Sequence, residues 1–153
     1  RPIPIMIGGS GEKKTLRMVA QYADESNLTC SPNEIAHKLE VLDGHCERLG
    51  RNRSEVSVTW LGTLGIAPTM AEAEQGRDDF FASRGLDWSS LDEDFQAALM
   101  DRIIIGGPEE VAARVQSLLD LGLDGVTLNM PANGHDPEMV ALAGETLSPL
   151  FAD

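Results

Sequence analysis

Apolar residues in this chain alternate between short continuous runs and helical spacings. Continuous runs lie at 3–7 and 56–66, with shorter candidates at 25–29 and 125–130. Short apolar runs bounded by glycine or polar residues are typical of strands buried on both faces. We therefore predict four strands at these positions.

The segments between the runs have the spacing of amphipathic helices. The first helix is predicted over 12–23, with Leu16, Val19, Ala20 and Ala23 on its inner face. The second is predicted to bury Ile35, Leu39, Leu42, Cys46 and Leu49. Further helices are predicted over 69–84, from Pro108 to Gly122 and from Pro137 through Leu150. Residues 85–102 have a looser pattern and are interpreted as an insertion.

Helix start signals support these boundaries. Ser31 and Glu34 flank a proline and form a capping box, as do Thr69 and Glu72. Asp136 precedes another proline and is interpreted as an N-cap.

Alternation of strands and helices predicts an α/β fold with a parallel sheet and right-handed crossovers. Two architectures fit a single domain over residues 1–153: a small doubly wound sheet, or part of a (β/α)8 TIM-type barrel. A complete barrel needs about 250 residues, so this chain would be roughly half of one.

The formal net charge of −13 narrows the possible partners. It argues against nucleic acid and anionic membranes, because both carry phosphates that an acidic surface repels. Cys30 and Cys46 lack metal-ligand spacing, and we expect reduced thiols in a cytoplasmic protein. No signal peptide or transmembrane run is found. The chain opens at Arg1 without Met, and we expect that something preceded it.

A glycine-rich loop, MIGGSGEKKT at residues 6–15, follows the first predicted strand. A nucleoside-triphosphate loop needs glycine directly before its lysine, but here Lys13 precedes Lys14. The dinucleotide fingerprint needs a final glycine where Lys14 stands. Both motifs are therefore rejected.

The loop still has the features of an anion site at a helix N-terminus. Bare backbone approaches an anion closely, and the helix dipole favours negative charge. We predict that the N–H groups of residues 9–12 point at the anion and that the Ser10 and Thr15 hydroxyls assist. A tight turn without a ligand is the alternative. The cations available to neutralise the anion are Lys13, Lys14 and Arg17.

The segment PIPIMIGGSGEKKTLRMVAQYADESN resembles the phosphate loop of the bacterial-luciferase-like superfamily, and most closely its deazaflavin (coenzyme F-420)-dependent oxidoreductases. The stretches IIIGGPEEVAARVQ and LGLDGVTLNMP are similar to the family's last helix-and-strand unit. The resemblance is weakest over 85–102. The residues that match the first motif are Pro4 through Arg17, Ala20, Ala23, Asp24 and Asn27.

The resemblance implies a (β/α)8 barrel of which only the C-terminal half is present. Strands five to eight would be the four predicted strands. The resemblance also implies that the loop binds the phosphate of coenzyme F-420, or alternatively of FMN. The implied cofactor-binding residues are Gly8, Gly9, Ser10, Gly11 and Glu12, to which the residue pattern adds Thr15.

The implied activity is that of an oxidoreductase, which transfers a hydride between the deazaflavin and an organic substrate. An FMN-dependent luciferase-like monooxygenase is the alternative. The family's first four βα units, which carry most substrate contacts and the catalytic residues, are absent here. We therefore expect this chain to be inactive alone, and its sequence identifies no catalytic residue.

A half-barrel has two open sheet edges, which favour association. We expect it to pair with the missing N-terminal half or with a second copy of itself. A further alternative is a non-catalytic half-barrel dimer that captures a phosphorylated ligand, because no convincing acid–base pair is seen.

Other polar and aromatic residues are assigned structural roles. Trp60 is expected in the core, and His37 and His45 on the surface, with no metal site. Residues just after the last strand either line the site or form a solvated loop, with the loop favoured. They are Asn129, Pro131, Asn133, Gly134 and His135.

Overall fold

The computed structural model describes residues 3–152, in which five strands are separated by α-helices, six in all, with two helices between the third and fourth strands. Arg1, Pro2 and Asp153, which belong to the predicted domain over 1–153, lie outside the described residues. The strands are β1 (Met6–Gly8), β2 (Glu25–Leu28), β3 (Ser57–Ile66), β4 (Ile103–Gly106) and β5 (Gly125–Asn129). The helices are α1 (Thr15–Tyr22), α2 (Ile35–Leu49), α3 (Met70–Ala82), α4 (Glu93–Met100), α5 (Pro108–Leu119) and α6 (Pro137–Leu147).

The chain divides into two compact units. The first unit comprises the chain up to Leu61 together with Leu118–Thr127. The second comprises Gly62–Ser117 together with the chain from Leu128 onward. Strands β3 and β5 each begin in the first unit and end in the second.

Parallel strand pairing organises the first unit. β2 pairs in parallel with β1 on one side and with β3 on the other, and β5 also pairs with β3. Two aspartate side chains accept backbone N–H groups at or near the start of a strand. Asp24 Oδ2 accepts the Ile5 N–H at 2.8 Å, and Asp124 Oδ2 accepts the Val58 N–H at 2.7 Å. The predicted parallel α/β arrangement is therefore confirmed.

The second unit contains a strand that the sequence pattern did not predict. β4 pairs in parallel with residues Thr63 to Ile66 of β3. A four-residue apolar run gives no periodicity, so only its pairing with β3 identifies it as a strand. The prediction of four strands was therefore wrong. Within residues 3–152 no pairing closes the strands into a ring, and the half-barrel stays a prediction.

The core of the first unit forms where α1 and α2 cover one face of the strands. Trp60 in β3 is fully buried, and its indole N–H donates to the Cys30 carbonyl oxygen at 2.9 Å. The prediction that Trp60 belongs to the core is confirmed. The predicted inner face of α1 is also confirmed, since each of its members is at most 1% exposed: Leu16, Val19, Ala20 and Ala23.

Helix ends agree with the sequence signals in most places. The capping box of Ser31 and Glu34 forms, Asp136 caps α6, and Gly50 ends α2 with φ +66°. Two expectations were wrong. α1 begins at Thr15 rather than at residue 12, and Leu49 is 45% exposed because it lies in the last turn of α2.

We predict that Trp60→Phe lowers the free energy of unfolding by about 1–3 kcal/mol, because the buried Cys30 carbonyl loses its donor. Urea denaturation followed by circular dichroism would measure this loss. Trp88→Phe is the matched control, since Trp88 is only half-buried and phenylalanine can still stack on Phe81. Equal losses in the two variants would contradict the role given to the Trp60 hydrogen bond.

Candidate functional site

The glycine-rich loop connects β1 to α1 and is held against β2. The Gly9 N–H donates to the Asn27 carbonyl oxygen at 2.9 Å, which extends the strand pairing one residue beyond β1. Gly9 has φ +120°, a conformation that favours glycine. Its N–H is therefore not available to an anion, contrary to expectation. Within residues 3–152, the N–H groups of Ser10, Gly11 and Glu12 donate to no protein acceptor.

Ser10 fastens the loop to the segment after β2. Its hydroxyl oxygen accepts the Thr29 N–H at 2.8 Å. Burial raises the pKa of Cys30, and this effect exceeds the opposing effect of the neighbouring Ser10 hydroxyl. Burial likewise raises the pKa of Cys46. Both cysteines are free and buried, and a buried thiol of raised pKa carries little of the reactive thiolate.

Thr15 fills the space inside the loop. A Cβ on Gly11 would lie 2.9 Å from Thr15 Oγ1, and a Cβ on Gly9 would lie 3.3 Å from Thr15 Cγ2. These two glycines are therefore needed by Thr15 itself, whether or not a ligand binds. Gly8 differs, because its nearest neighbour would be the Asn27 carbonyl oxygen at 4.0 Å. The space beside Gly8 is open.

Glu12 points away from the loop backbone and into an ion pair with α2. Its Oε1 lies 2.6 Å from Nζ of the buried Lys38 and 3.1 Å from His37 Nε2. The hydrogen bond and charge of Lys38 hold the pKa of Glu12 below its usual range. Glu12 in turn raises the pKa of Lys38 against the opposing effect of burial. The pattern of residues along the chain gave no signal for this pair, which joins positions 26 residues apart.

A basic pocket lies beside the loop, between α1 and α2. Arg48 donates to His45 Nδ1 at 2.9 Å, so the proton of this imidazole is on Nε2, which donates to the Glu12 carbonyl oxygen at 2.7 Å. His45 is half-buried rather than a plain surface residue. The basic side chains that line the pocket are Lys13, Arg17, His45 and Arg48.

The second unit has its own, largely apolar pocket. It is lined by β3, α3, β4 and the loop after β5, including Phe80, Ile105 and Pro131. Asn133 also lines it and donates to the Ile66 carbonyl oxygen at 2.8 Å, while its buried Oδ1 has no partner within residues 3–152. Pro131 and Asn133 thus line a pocket, whereas Asn129 and His135 are exposed.

Two negative findings concern the described part of the chain. Its histidine, cysteine, aspartate and glutamate side chains form no group of three or more that could hold a metal ion. None of its helices has the length and hydropathy that a membrane span requires.

Comparisons with known proteins give a family match and a set of structures with the same fold. The model of the luciferase-like monooxygenase family matches residues 1–125. The chain belongs to this family. Its relatives are oxidoreductases and monooxygenases. A search of curated proteins finds no match.

Solved structures show the same fold at low sequence identity. The coenzyme F-420-dependent tetrahydromethanopterin reductase of Methanopyrus kandleri has a TM-score of 0.73 at 18% identity, over 98% of this chain and 51% of its own. EDTA monooxygenase from a Chelativorans species has a TM-score of 0.75 at 17% identity, over 98% of this chain and 44% of its own. The oxygenating constituent of a Pseudomonas putida diketocamphane monooxygenase, in complex with FMN, has a TM-score of 0.69 at 16% identity, over 100% of this chain and 50% of its own. The chain thus spans about half the length of these structures.

We predict that Glu12→Gln destabilises the protein at neutral pH, because the buried Lys38 loses its carboxylate partner. A lowered Glu12 pKa stabilises the fold above the ordinary value of 4.5, and this contribution is lost as the pH falls through the folded-state pKa. A raised Lys38 pKa keeps its own contribution present below the ordinary value of 10.5. The loss of stability in Glu12→Gln relative to wild type should therefore be largest near pH 7 and become smaller in acid.

Thermal unfolding across pH 3–8, about the range in which carboxylates titrate, would measure this difference. Glu40→Gln is the control, since Glu40 is exposed on α2 and makes no ion pair within residues 3–152. A deficit for Glu12→Gln that stays constant down to the lowest pH would refute the role of the charge pair.

Proposed function

We propose that this chain supplies the phosphate end of a deazaflavin site in a luciferase-like oxidoreductase that moves a hydride to or from an organic substrate. The cofactor is proposed to be coenzyme F-420. The observation that carries the proposal is the loop from Gly8 to Glu12, with three N–H groups that have no protein acceptor.

The loop fits a bound phosphate in both shape and charge. The N–H groups of Ser10, Gly11 and Glu12 are donors next to the start of α1, where the helix dipole favours an anion. Lys13 and Arg17 line the adjacent basic pocket and bring positive charge to a chain of net charge −13. The open space beside Gly8 lets a ligand lie against the strand backbone.

The proposed role of these residues is binding and orientation. The bound cofactor supplies the hydride chemistry. Ser10 and Thr15 hold the loop in shape, and Glu12 attaches it to Lys38, so that the backbone of the loop is held in place before a ligand binds. Preorganised donors of this kind bind an anion without the cost of ordering the loop.

FMN is the second candidate cofactor. The family is described as luciferase-like monooxygenases, and the diketocamphane enzyme among the similar structures is in complex with FMN. The tetrahydromethanopterin reductase supports coenzyme F-420 instead. Titrating the protein with each cofactor, and then displacing one with the other, would decide between them.

We predict that Gly8→Val weakens cofactor binding at least about tenfold, roughly 1.4 kcal/mol, because the new side chain occupies the open space beside the loop. Isothermal titration calorimetry with coenzyme F-420 and with FMN would measure the change. The fold should be kept, since valine suits a strand and a Cβ here meets no close atom.

Gly65→Val is the matched control, because Gly65 is also a strand glycine and its Cβ would make only an ordinary 3.6 Å contact with Ile105. Cofactor affinity that is unchanged in Gly8→Val would refute the proposed position of the ligand. Failure of both cofactors to bind the wild-type protein would refute the proposed function.

The exposed edge of β1 supports the proposal that another polypeptide covers it. Ile3, Ile5 and Met6 are 88%, 51% and 52% exposed, and within residues 3–152 β1 pairs with β2 alone. The proposed occupant is the N-terminal half of a barrel or a second copy of this chain, and the second copy would suit a non-catalytic half-barrel dimer.

We predict that the isolated chain sediments as a dimer rather than at 16.5 kDa, because an open apolar edge associates. Analytical ultracentrifugation would test this, with Ile5→Lys as the variant that should shift the equilibrium toward monomer. A wild-type chain that is folded and strictly monomeric would contradict association through this edge.

A further inference from the structure

A row of three polar side chains crosses the strands of the first unit beside the glycine-rich loop. The side-chain NH2 of Asn27 in β2 donates to Thr59 Oγ1 in β3 at 2.7 Å and to Thr127 Oγ1 in β5 at 3.0 Å. Both donors of the amide are therefore used, and the amide has a fixed orientation. We call Asn27, Thr59 and Thr127 the polar row.

The polar row lies on the same face of the sheet as the open space beside Gly8. Gly8 is the register partner of Asn27, and Asn27 is the register partner of Thr59. Register partners in a sheet project to the same face, and neighbouring strands are about 4.8 Å apart. The opposite face carries Ser26 and Trp60, which are fully buried. A ligand beside Gly8 therefore meets the polar row next.

The row has one donor and one acceptor that the protein does not use. Thr127 accepts from Asn27, and within residues 3–152 its own hydroxyl hydrogen has no acceptor. Asn27 Oδ1 receives no hydrogen bond from the described residues and is not among the buried unpartnered atoms. Thr59 differs, because its hydroxyl donates weakly to the Ser26 carbonyl oxygen at 3.4 Å.

A free donor beside a free acceptor matches an alcohol group. A ligand hydroxyl can accept from Thr127 and donate to Asn27 Oδ1 at the same time. Apolar ring atoms would leave both groups unpaired, which costs binding free energy. Thr127 is exposed on its strand, so a ligand can reach its hydroxyl.

We propose that the polar row binds the hydroxylated chain of a phosphorylated ligand whose phosphate is held by the glycine-rich loop. The inference rests on the proposed function and assigns Asn27 and Thr127 as its positioning residues. Both candidate cofactors carry such a hydroxylated chain next to their phosphate. The loop then recognises the phosphate of the ligand, and the polar row recognises its hydroxylated chain.

The test compares Thr127→Val with wild type by titration calorimetry against coenzyme F-420, FMN and inorganic phosphate. Removing one hydroxyl should weaken binding of the organic cofactor about three- to tenfold. Affinity for inorganic phosphate should stay unchanged, because phosphate meets only the loop. Thr127→Ser, which keeps the hydroxyl, should restore cofactor affinity. Thr146→Val in α6 is the matched control in the second unit.

Each other result overturns the inference in a distinguishable way. Unchanged cofactor affinity in Thr127→Val would remove the polar row from the site, while a loss in Gly8→Val would still support the proposed function. An equal loss for inorganic phosphate would mean that Thr127 acts only on the shape of the loop. If neither cofactor binds the wild-type protein, the proposed function and this inference fail together.

Discussion

Asn27 is in the middle strand of three parallel strands, and its backbone and side chain make bonds in different directions. Its carbonyl oxygen holds Gly9 and so sets where the loop leaves β1. Its amide holds Thr59 and Thr127 on the strands that follow. Parallel pairing fixes all of these positions together, because one step of register would turn Asn27 to the opposite face. The register of β2 therefore sets both the position of the glycine-rich loop and the arrangement of the polar row.

The first unit contains a local cluster of basic side chains although the chain as a whole is strongly acidic. The protein carries 25 acidic and 12 basic residues, yet several cations gather where α1 and α2 meet. Lys38 is buried and paired with Glu12, so its charge serves the fold. Lys13 and Arg17 remain beside the loop with no ion pair in the described residues. A strongly acidic protein can in this way keep a local site for an anion.

Local signals in the sequence predicted most helices and their starts, because caps and helical faces depend on nearby residues. The capping box of Ser31 and Glu34 and the buried face of α1 around Leu16 are examples. Long-range contacts decided what the sequence did not predict. β4 is identified as a strand only by its pairing with β3, and Glu12, which was predicted to begin α1, instead precedes the helix and pairs with Lys38. The glycine-rich loop was visible in the sequence, whereas the polar row joins residues 100 positions apart.

The burial of both cysteines has a practical consequence for spectroscopy on this protein. Their thiols are shielded by the core, and burial raises the pKa of each, which leaves little thiolate near neutral pH. A cysteine introduced at an exposed position would therefore react with a maleimide dye or spin label while the native pair stays unmodified. Distances from the glycine-rich loop could then be measured in a protein that keeps its natural core.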